Sequence, residues 1–165
     1  MIATYIALGS NLDQPLLQLQ LAVRALRALP TSRLVHRSSI YRSAPVGPGE
    51  QPDYLNAAVR LDTRLDALAL LDHLQRIERA QGRTRGRRWG PRTLDLDLLF
   101  YGDLIRSDVR LTLPHPRLHE RNFVLYPLRE ISDTSRLPDG TDLDTLLARC
   151  QAGVLENTGE ALGDA

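Results

Sequence analysis

Two aspartates, Asp95 and Asp97, stand in a stretch of alternating character, residues 93–101. Side chains of a strand point alternately to opposite faces, so the two carboxylates share one face and the leucines around them share the other. Neighbouring carboxylates repel each other, and aspartate is a poor strand former. The pattern predicts a positive partner, either the arginines just upstream or a divalent cation such as Mg²⁺, which favours carboxylate oxygens. A solvated strand face is the alternative for the pair taken alone.

The segment immediately before this strand, residues 82–92, holds five arginines, three glycines and no acidic residue. Such a segment repels itself until an anion neutralises it. One interpretation is an RNA-binding module that uses this Arg/Gly loop with its tryptophan. The other is a site for a nucleoside polyphosphate carried with Mg²⁺, which would satisfy the arginines and the aspartates together. The second is favoured, because Asp95 and Asp97 would repel a nucleic acid in the absence of metal.

The amino-acid composition excludes several kinds of catalytic and phosphate-binding site. All 21 basic residues are arginine, so a P-loop lysine, a protein-kinase lysine and a Schiff-base lysine are excluded. The chain has 165 residues, 42% of them hydrophobic, and a formal net charge of +1. These values are typical of one globular domain and disfavour a nucleic-acid or membrane-surface binder dominated by bulk charge. With one cysteine and no signal-like or membrane-spanning run, we expect a cytoplasmic protein without disulfides.

The elements that must position these residues follow a βαββαβ order. This order predicts an α+β, ferredoxin-like antiparallel sheet with helices on one face, plus a C-terminal hairpin and short helices. We expect a single domain over residues 1–150 and a flexible C-terminal tail over residues 151–165. The expected strands are residues 2–8, 33–42, 53–62, 93–101 and the hairpin 104–113. The expected helices are residues 15–29, 66–81, 121–130, interrupted by Pro127, and 142–150.

Further polar residues fall at positions where a ligand could be bound. Tyr54 and Asn56 share a strand face and could recognise a flat, hydrogen-bonding heterocycle, although a packed tyrosine and a turn-satisfying asparagine are the alternative. Gln75 and Glu78 are spaced i, i+3 near a helix end, where a negative charge is disfavoured, so they are a ligand-facing pair or a surface accident. His115, beside Thr112, offers another anion donor, although a lone histidine is usually structural.

Four motifs together are similar to one known family. They are QPDYLNAA at residues 51–58, RWGPRTLDLD at 88–97, LPH at 113–115 and RNF at 121–123. They resemble 6-hydroxymethyl-7,8-dihydropterin pyrophosphokinase, an enzyme of folate biosynthesis. The resemblance runs from the N-terminal ALGSNL to about residue 147, and so covers nearly all of the chain.

The resemblance implies an activity and a set of site residues. The β,γ-pyrophosphoryl group of ATP would pass to the pterin hydroxymethyl group, with release of AMP. Apart from the resemblance, we expect a monomer, because the sequence shows no identifiable dimer face, and we expect binding to neither nucleic acid nor membrane. Asp95 and Asp97 fall on the family's ligands for two Mg²⁺ ions, and Arg83 and Arg92 on its catalytic arginines. The implied pterin-site residues are Ser43, Ala44, Val46, Tyr54, Asn56, Trp89, Asp95 and Phe123. The implied ATP-site residues are Gln75, Glu78, Arg85, Trp89, Arg92, Leu98, Arg110, Thr112, His115 and Arg121.

Overall fold

The structure is a computed structural model that describes residues 1–44, 50–82, 93–132, 135–150 and 155–163. It confirms an α+β fold with an antiparallel sheet. The strands are β1 (Ile2–Ser10), β2 (Ser32–Arg37), β3 (Ser39–Ser43), β4 (Tyr54–Thr63), β5 (Asp95–Tyr101), β6 (Arg106–Ser107), β7 (Thr112–Leu113) and β8 (Glu156–Ala161). The helices are α1 (Pro15–Arg27), α2 (Ala67–Ala80), α3 (Asn122–Ile131) and α4 (Leu143–Arg149), with a 3₁₀ turn at Leu118–Glu120.

The main sheet has the strand order β5-β1-β4-β3-β8, and β2 pairs with the other end of β4. The strand predicted over residues 33–42 is therefore two strands, separated at Ser38. The Ser38 N–H donates to the carbonyl of Ala58 at 2.9 Å, and its Oγ accepts from the N–H of Ala58 at 2.9 Å. Because the hydroxyl replaces a backbone carbonyl in the ladder, the chain bends without losing its pairing to β4.

Helices cover both faces of the sheet, so the prediction that they lie on one face is wrong. On one face α1 and α2 pack over Leu8, Leu96 and Leu98. On the other face α3 packs over Tyr5 and Ala7, and α4 packs against α3. Consecutive residues of β1, from positions 4 to 8, are all buried, and a strand that is apolar on both sides needs two covering layers.

The C-terminal segment forms β8 at the edge of the sheet, so the prediction of a tail without regular structure is wrong for residues 156–161. β8 pairs with β3, and the Thr158 hydroxyl donates to the carbonyl of Ile40 at 2.8 Å. Leu162 is only 2% exposed and joins the core beneath α1 and α2. The sequence shows no apolar periodicity in this segment. An edge strand that is held by backbone hydrogen bonds and by one buried leucine can form without an apolar face.

The remaining elements lie where the sequence predicts them, although α3 differs from its prediction in one respect. The predicted hairpin is present as β6 and β7, with Arg106 opposite Leu113. Helix α3 continues through Pro127 instead of being interrupted there. Asp66 is the N-cap of α2, and its Oδ1 accepts from the N–H of Ala69 at 2.8 Å. In the described part of the chain, the helices are all too short or too polar to cross a membrane.

Candidate active site

The register of the sheet places the predicted site residues in rows. Asp95 on β5 pairs with Gly9 on β1, Gly9 pairs with Asn56 on β4, and Asn56 pairs with Tyr41 on β3. In the next row on the same face, Asp97 pairs with Ala7, and Ala7 pairs with Ala58. Directly paired residues point to the same side of a sheet. Both aspartates and Asn56 therefore share the face on which α3 packs, which we call the site face.

The residues between these polar groups are small. Gly9 separates Asp95 from Asn56 and has no side chain, and Ala7 lies beside Asp97. A Cβ on Gly9 would stand 3.6 Å from Asn56 Oδ1 and 3.7 Å from the Tyr54 ring. The backbone of β1 thus forms a flat floor between the acidic pair and the amide, on which a planar molecule could lie.

Asn56 is held in one orientation by β3. It is 4% exposed, and its Nδ2 donates to Ser43 Oγ at 2.8 Å and to the carbonyl of Tyr41 at 3.3 Å. With the amino side tied to β3, the carboxamide oxygen lies over Gly9. Ser43 pairs directly with Tyr54, and Ala44 follows at the exposed end of the strand. The structure therefore brings four of the predicted pterin-site residues together.

Two residues that follow β7, Arg121 and His115, converge on Asp97. Arg121 Nη1 lies 3.8 Å from Asp97 Oδ2, and His115 Nε2 lies 3.9 Å from Asp97 Oδ1. The guanidinium carbon of Arg121 is 5.6 Å from the centre of the Phe123 ring. Asp97 thus has a positive neighbour, but it comes from the C-terminal half of the chain and not from the arginines just upstream, which the sequence pattern suggested and which lie outside the described residues.

His115 is a neutral donor at neutral pH. Burial, together with the positive charges of Arg121 and Arg117, lowers the pKa of His115 from 6.5 to about 4, against the attraction of Asp95. Its Nδ1 accepts the backbone N–H of Arg117 at 3.2 Å, so the proton of the neutral ring resides on Nε2. The approach to Asp97 is consequently not an ion pair, and the ring is a poor general base.

A pocket of about 230 Å³ opens beside β5. It is lined by five predicted residues, namely Asp97, Leu98, Arg110, Thr112 and His115, and also by apolar side chains of α2 and the β6–β7 hairpin. Ligand pockets commonly measure about 300 to 1,000 Å³, so this one would hold part of a nucleotide. Arg110 is paired with Asp72 on α2, and the same hydrogen bond lowers the pKa of Asp72.

Glu78 is buried rather than presented to solvent. It is 4% exposed, and its Oε2 accepts the backbone N–H of Leu96 at 2.8 Å. Leu96 is the residue between the two aspartates, so the carboxylate at the end of α2 holds the strand that carries them. Gln75 on the same helix is half-buried. Contact of either residue with a nucleotide stays a prediction.

The donor set of the site fits a magnesium ion bound jointly with phosphate. Among the described residues, no three histidine, cysteine or acidic side chains come together as metal ligands. The site face offers two carboxylates, Asp95 and Asp97, and Mg²⁺ is commonly bound by one or two carboxylates, water and substrate phosphates. A magnesium ion bound here would therefore need water and the phosphate oxygens of a bound nucleotide to complete its coordination shell.

Five predicted site residues lie outside the described residues: Val46, Arg83, Arg85, Trp89 and Arg92. Other residues at the site carried no sequence signal. Tyr41 bonds to Glu130, 89 positions later, and no local pattern connects such distant residues. The first strand was expected to end at residue 8, whereas β1 continues to Ser10 and so includes Gly9.

A model of the 7,8-dihydro-6-hydroxymethylpterin-pyrophosphokinase family matches residues 5–133 of the chain. A 2-amino-4-hydroxy-6-hydroxymethyldihydropteridine pyrophosphokinase of Haemophilus influenzae is 52% identical over 147 residues, which are 89% of this chain and 92% of that protein. The protein of the same name from Pseudomonas aeruginosa is 51% identical over 146 residues, with 88% and 90% covered.

Solved structures show the same fold. A crystal structure of an HPPK-DHPS in complex with substrates superposes with a TM-score of 0.66 at 12% identity and covers 90% of this chain. A wild-type Plasmodium falciparum HPPK-DHPS gives a TM-score of 0.64, also at 12% identity. This chain spans 45% and 44% of those two chains. At this identity the likeness supports the fold alone.

Proposed function

The chain belongs to the 7,8-dihydro-6-hydroxymethylpterin-pyrophosphokinase family, and we propose that it transfers a pyrophosphoryl group from ATP to the hydroxymethyl group of that pterin. The products are AMP and the pterin diphosphate, in folate biosynthesis. One observation supports the assignment of residues: the register joins Asp95, Gly9 and Asn56 in a single row across three strands. An acidic pair and a heterocycle-binding amide thereby flank one open floor. Because the family is established, we do not retain the RNA-binding interpretation.

We propose that the pterin lies on the floor made by Gly9. The oxygen of Asn56 would accept from the heterocycle, and the ring of Phe123 would cover it from α3. Tyr54 and the backbone of Ser43 and Ala44 would form the end wall. These residues orient the substrate so that its hydroxymethyl group points along the row toward Asp95.

We propose that ATP occupies the pocket beside β5. Its apolar lining suits the base, while Arg110, Thr112 and His115 supply donors to oxygens of the nucleotide. His115 would donate from Nε2 and remain neutral, so it adds a hydrogen bond without adding charge. Arg121, 3.8 Å from Asp97, lies where it could balance charge on both the carboxylate and a phosphate.

Asp95 and Asp97 would hold the magnesium, and we propose two ions. When bound, the metal neutralises phosphate charge and lowers the pKa of the attacking hydroxyl. The chain's own contribution is positioning, because phosphoryl transfer depends mainly on alignment and electrostatic stabilisation. Glu78 fixes the strand between the two ligands, and Arg121 limits the repulsion between them.

The roles of Arg83 and Arg92 in catalysis stay predictions, as do those of Val46, Arg85 and Trp89. An arginine brought to a phosphoryl group can increase the rate about 10³- to 10⁵-fold in related chemistry. The monomeric state and the cytoplasmic location also stay predictions. We propose that a single pyrophosphokinase domain includes residues 1–150 together with β8.

The experiment is to incubate the protein with Mg-ATP and 6-hydroxymethyl-7,8-dihydropterin and to identify the nucleotide product. Pterin-dependent AMP formation is the expected result. Formation of ADP, or of no AMP that depends on the pterin, would refute the proposal. Binding of RNA that weakens with salt, requires no metal and is indifferent to Asp97→Ala would instead favour the discarded RNA-binding module.

A further inference from the structure

We infer that Glu130 on α3 is a positioning residue for the pterin, which sets the separation between β3 and α3 on the site face. The inference rests on the proposed function, because it assigns a task within the same site. Glu130 belongs to none of the motifs that relate the chain to its family. It is distant in sequence from every strand that it contacts.

Both carboxylate oxygens of Glu130 are bonded to β3. Oε1 accepts from the hydroxyl of Tyr41 at 2.8 Å. Oε2 accepts from the backbone N–H of Ser39 at 2.6 Å and from its hydroxyl at 3.2 Å. Three donors of one strand thus converge on one carboxylate, and hydrogen bonds to an ionised acceptor are shorter and stronger than neutral ones. The helix cannot slide along β3 without breaking them.

The contacts continue from Tyr41 into the site. The carbonyl of Tyr41 accepts from Asn56 Nδ2, which also donates to Ser43 Oγ. Tyr41, Asn56 and Ser43 are 7%, 4% and 6% exposed, so these hydrogen bonds are shielded from water. Burial and the bond to Glu130 raise the pKa of Tyr41, which keeps its hydroxyl protonated as a donor. Glu130, Tyr41, Asn56 and Ser43 therefore form one connected network.

The other end of α3 carries Phe123, next to Arg121. The helix thus provides one wall of the proposed pterin site, while β3 and β4 provide the wall that holds Asn56. Glu130 ties the two walls together. A misplacement of about 1 Å can cost about 10²-fold in rate when reactants must be aligned. The two walls must therefore keep a fixed separation if the pterin is to stack on Phe123 and hydrogen-bond to Asn56 at the same time.

The test compares Glu130→Gln, Glu130→Ala and Tyr41→Phe with wild type. Glutamine keeps the size of the side chain but replaces one acceptor with a donor that would face β3. The matched control is Arg129→Ala on the same helix, which breaks an ion pair of 2.7 Å to Asp144 on α4 and leaves β3 untouched. For each variant, the dissociation constant of the pterin, the KM for pterin, the KM for ATP and the melting temperature are measured.

We expect the KM and the dissociation constant for pterin to rise about tenfold in Glu130→Ala, which corresponds to about 1.4 kcal/mol. Glu130→Gln and Tyr41→Phe should show smaller rises, and the KM for ATP should stay unchanged in all three. The control should match wild type in pterin binding even if its melting temperature falls.

Two results would overturn the inference. One is a lower melting temperature with unchanged pterin binding, which would make Glu130 merely structural. The other is an equal loss of affinity for pterin and ATP, which would indicate general damage to the site. If wild type itself forms no pterin-dependent AMP, the proposed function fails and the inference with it. If wild type turns over normally and the variants keep the wild-type dissociation constant and KM for pterin, the inference is refuted while the proposed function stands.

Discussion

Replacing Glu78 distinguishes a strand-positioning role from the nucleotide contact that the sequence suggested. The carboxylate accepts the buried N–H of Leu96 at 2.8 Å. Glu78→Ala would leave that N–H without this acceptor, and an unsatisfied buried group costs about 1–3 kcal/mol. In a chain of this length, about 2 kcal/mol lowers the melting temperature by about 4–8 °C. Because Leu96 separates Asp95 from Asp97, we also expect kcat to fall.

The assay pairs thermal unfolding without ligands with steady-state kinetics. Glu78→Gln retains an acceptor oxygen and should lose less stability than Glu78→Ala. The same pair of substitutions at Glu160, an exposed residue of β8, is the control and should leave both stability and kcat unchanged. A rise in the KM for ATP with an unchanged melting temperature would refute the positioning role and favour direct contact with the nucleotide.

Three further outcomes are expected. Asp97→Ala should lower kcat at least about 10²-fold with the fold intact, whereas Asp103→Ala in the exposed turn after β5 should not. Near-normal turnover of Asp97→Ala at saturating Mg²⁺ would contradict this. Thr93→Val should raise the melting temperature by about 2–4 °C, because it removes a buried hydroxyl that has no hydrogen-bond partner among the described residues. A lower melting temperature than that of wild type would disprove this reasoning. Deleting residues 156–165 should lower the melting temperature by about 4–8 °C, since the burial of Leu162 contributes about 2 kcal/mol to stability. Deleting only residues 164–165 is the control. Equal melting temperatures of the two truncated proteins would contradict the prediction.

The sequence by itself determined the chemistry of the site. The alternation around Asp95 and Asp97 places both carboxylates on one face, because strand geometry is local and has a period of two. The absence of lysine excludes the common phosphate-binding motifs whatever the fold. The apolar periodicity of residues 67–80 and the N-cap at Asp66 define α2 for the same reason, since helix signals are contained within a few turns.

The tertiary structure decided which distant residues meet. The register that sets Asp95 beside Gly9 and Asn56 is a choice among pairings of three strands, and one residue of slip would turn the site to the other face. Helices on both faces and the strand β8 were missed, because they depend on burial and edge pairing rather than on local pattern. The bonds from Glu78 to Leu96 and from Glu130 to Tyr41 join residues 18 and 89 positions apart. No sequence period encodes such contacts, since only packing brings their partners together.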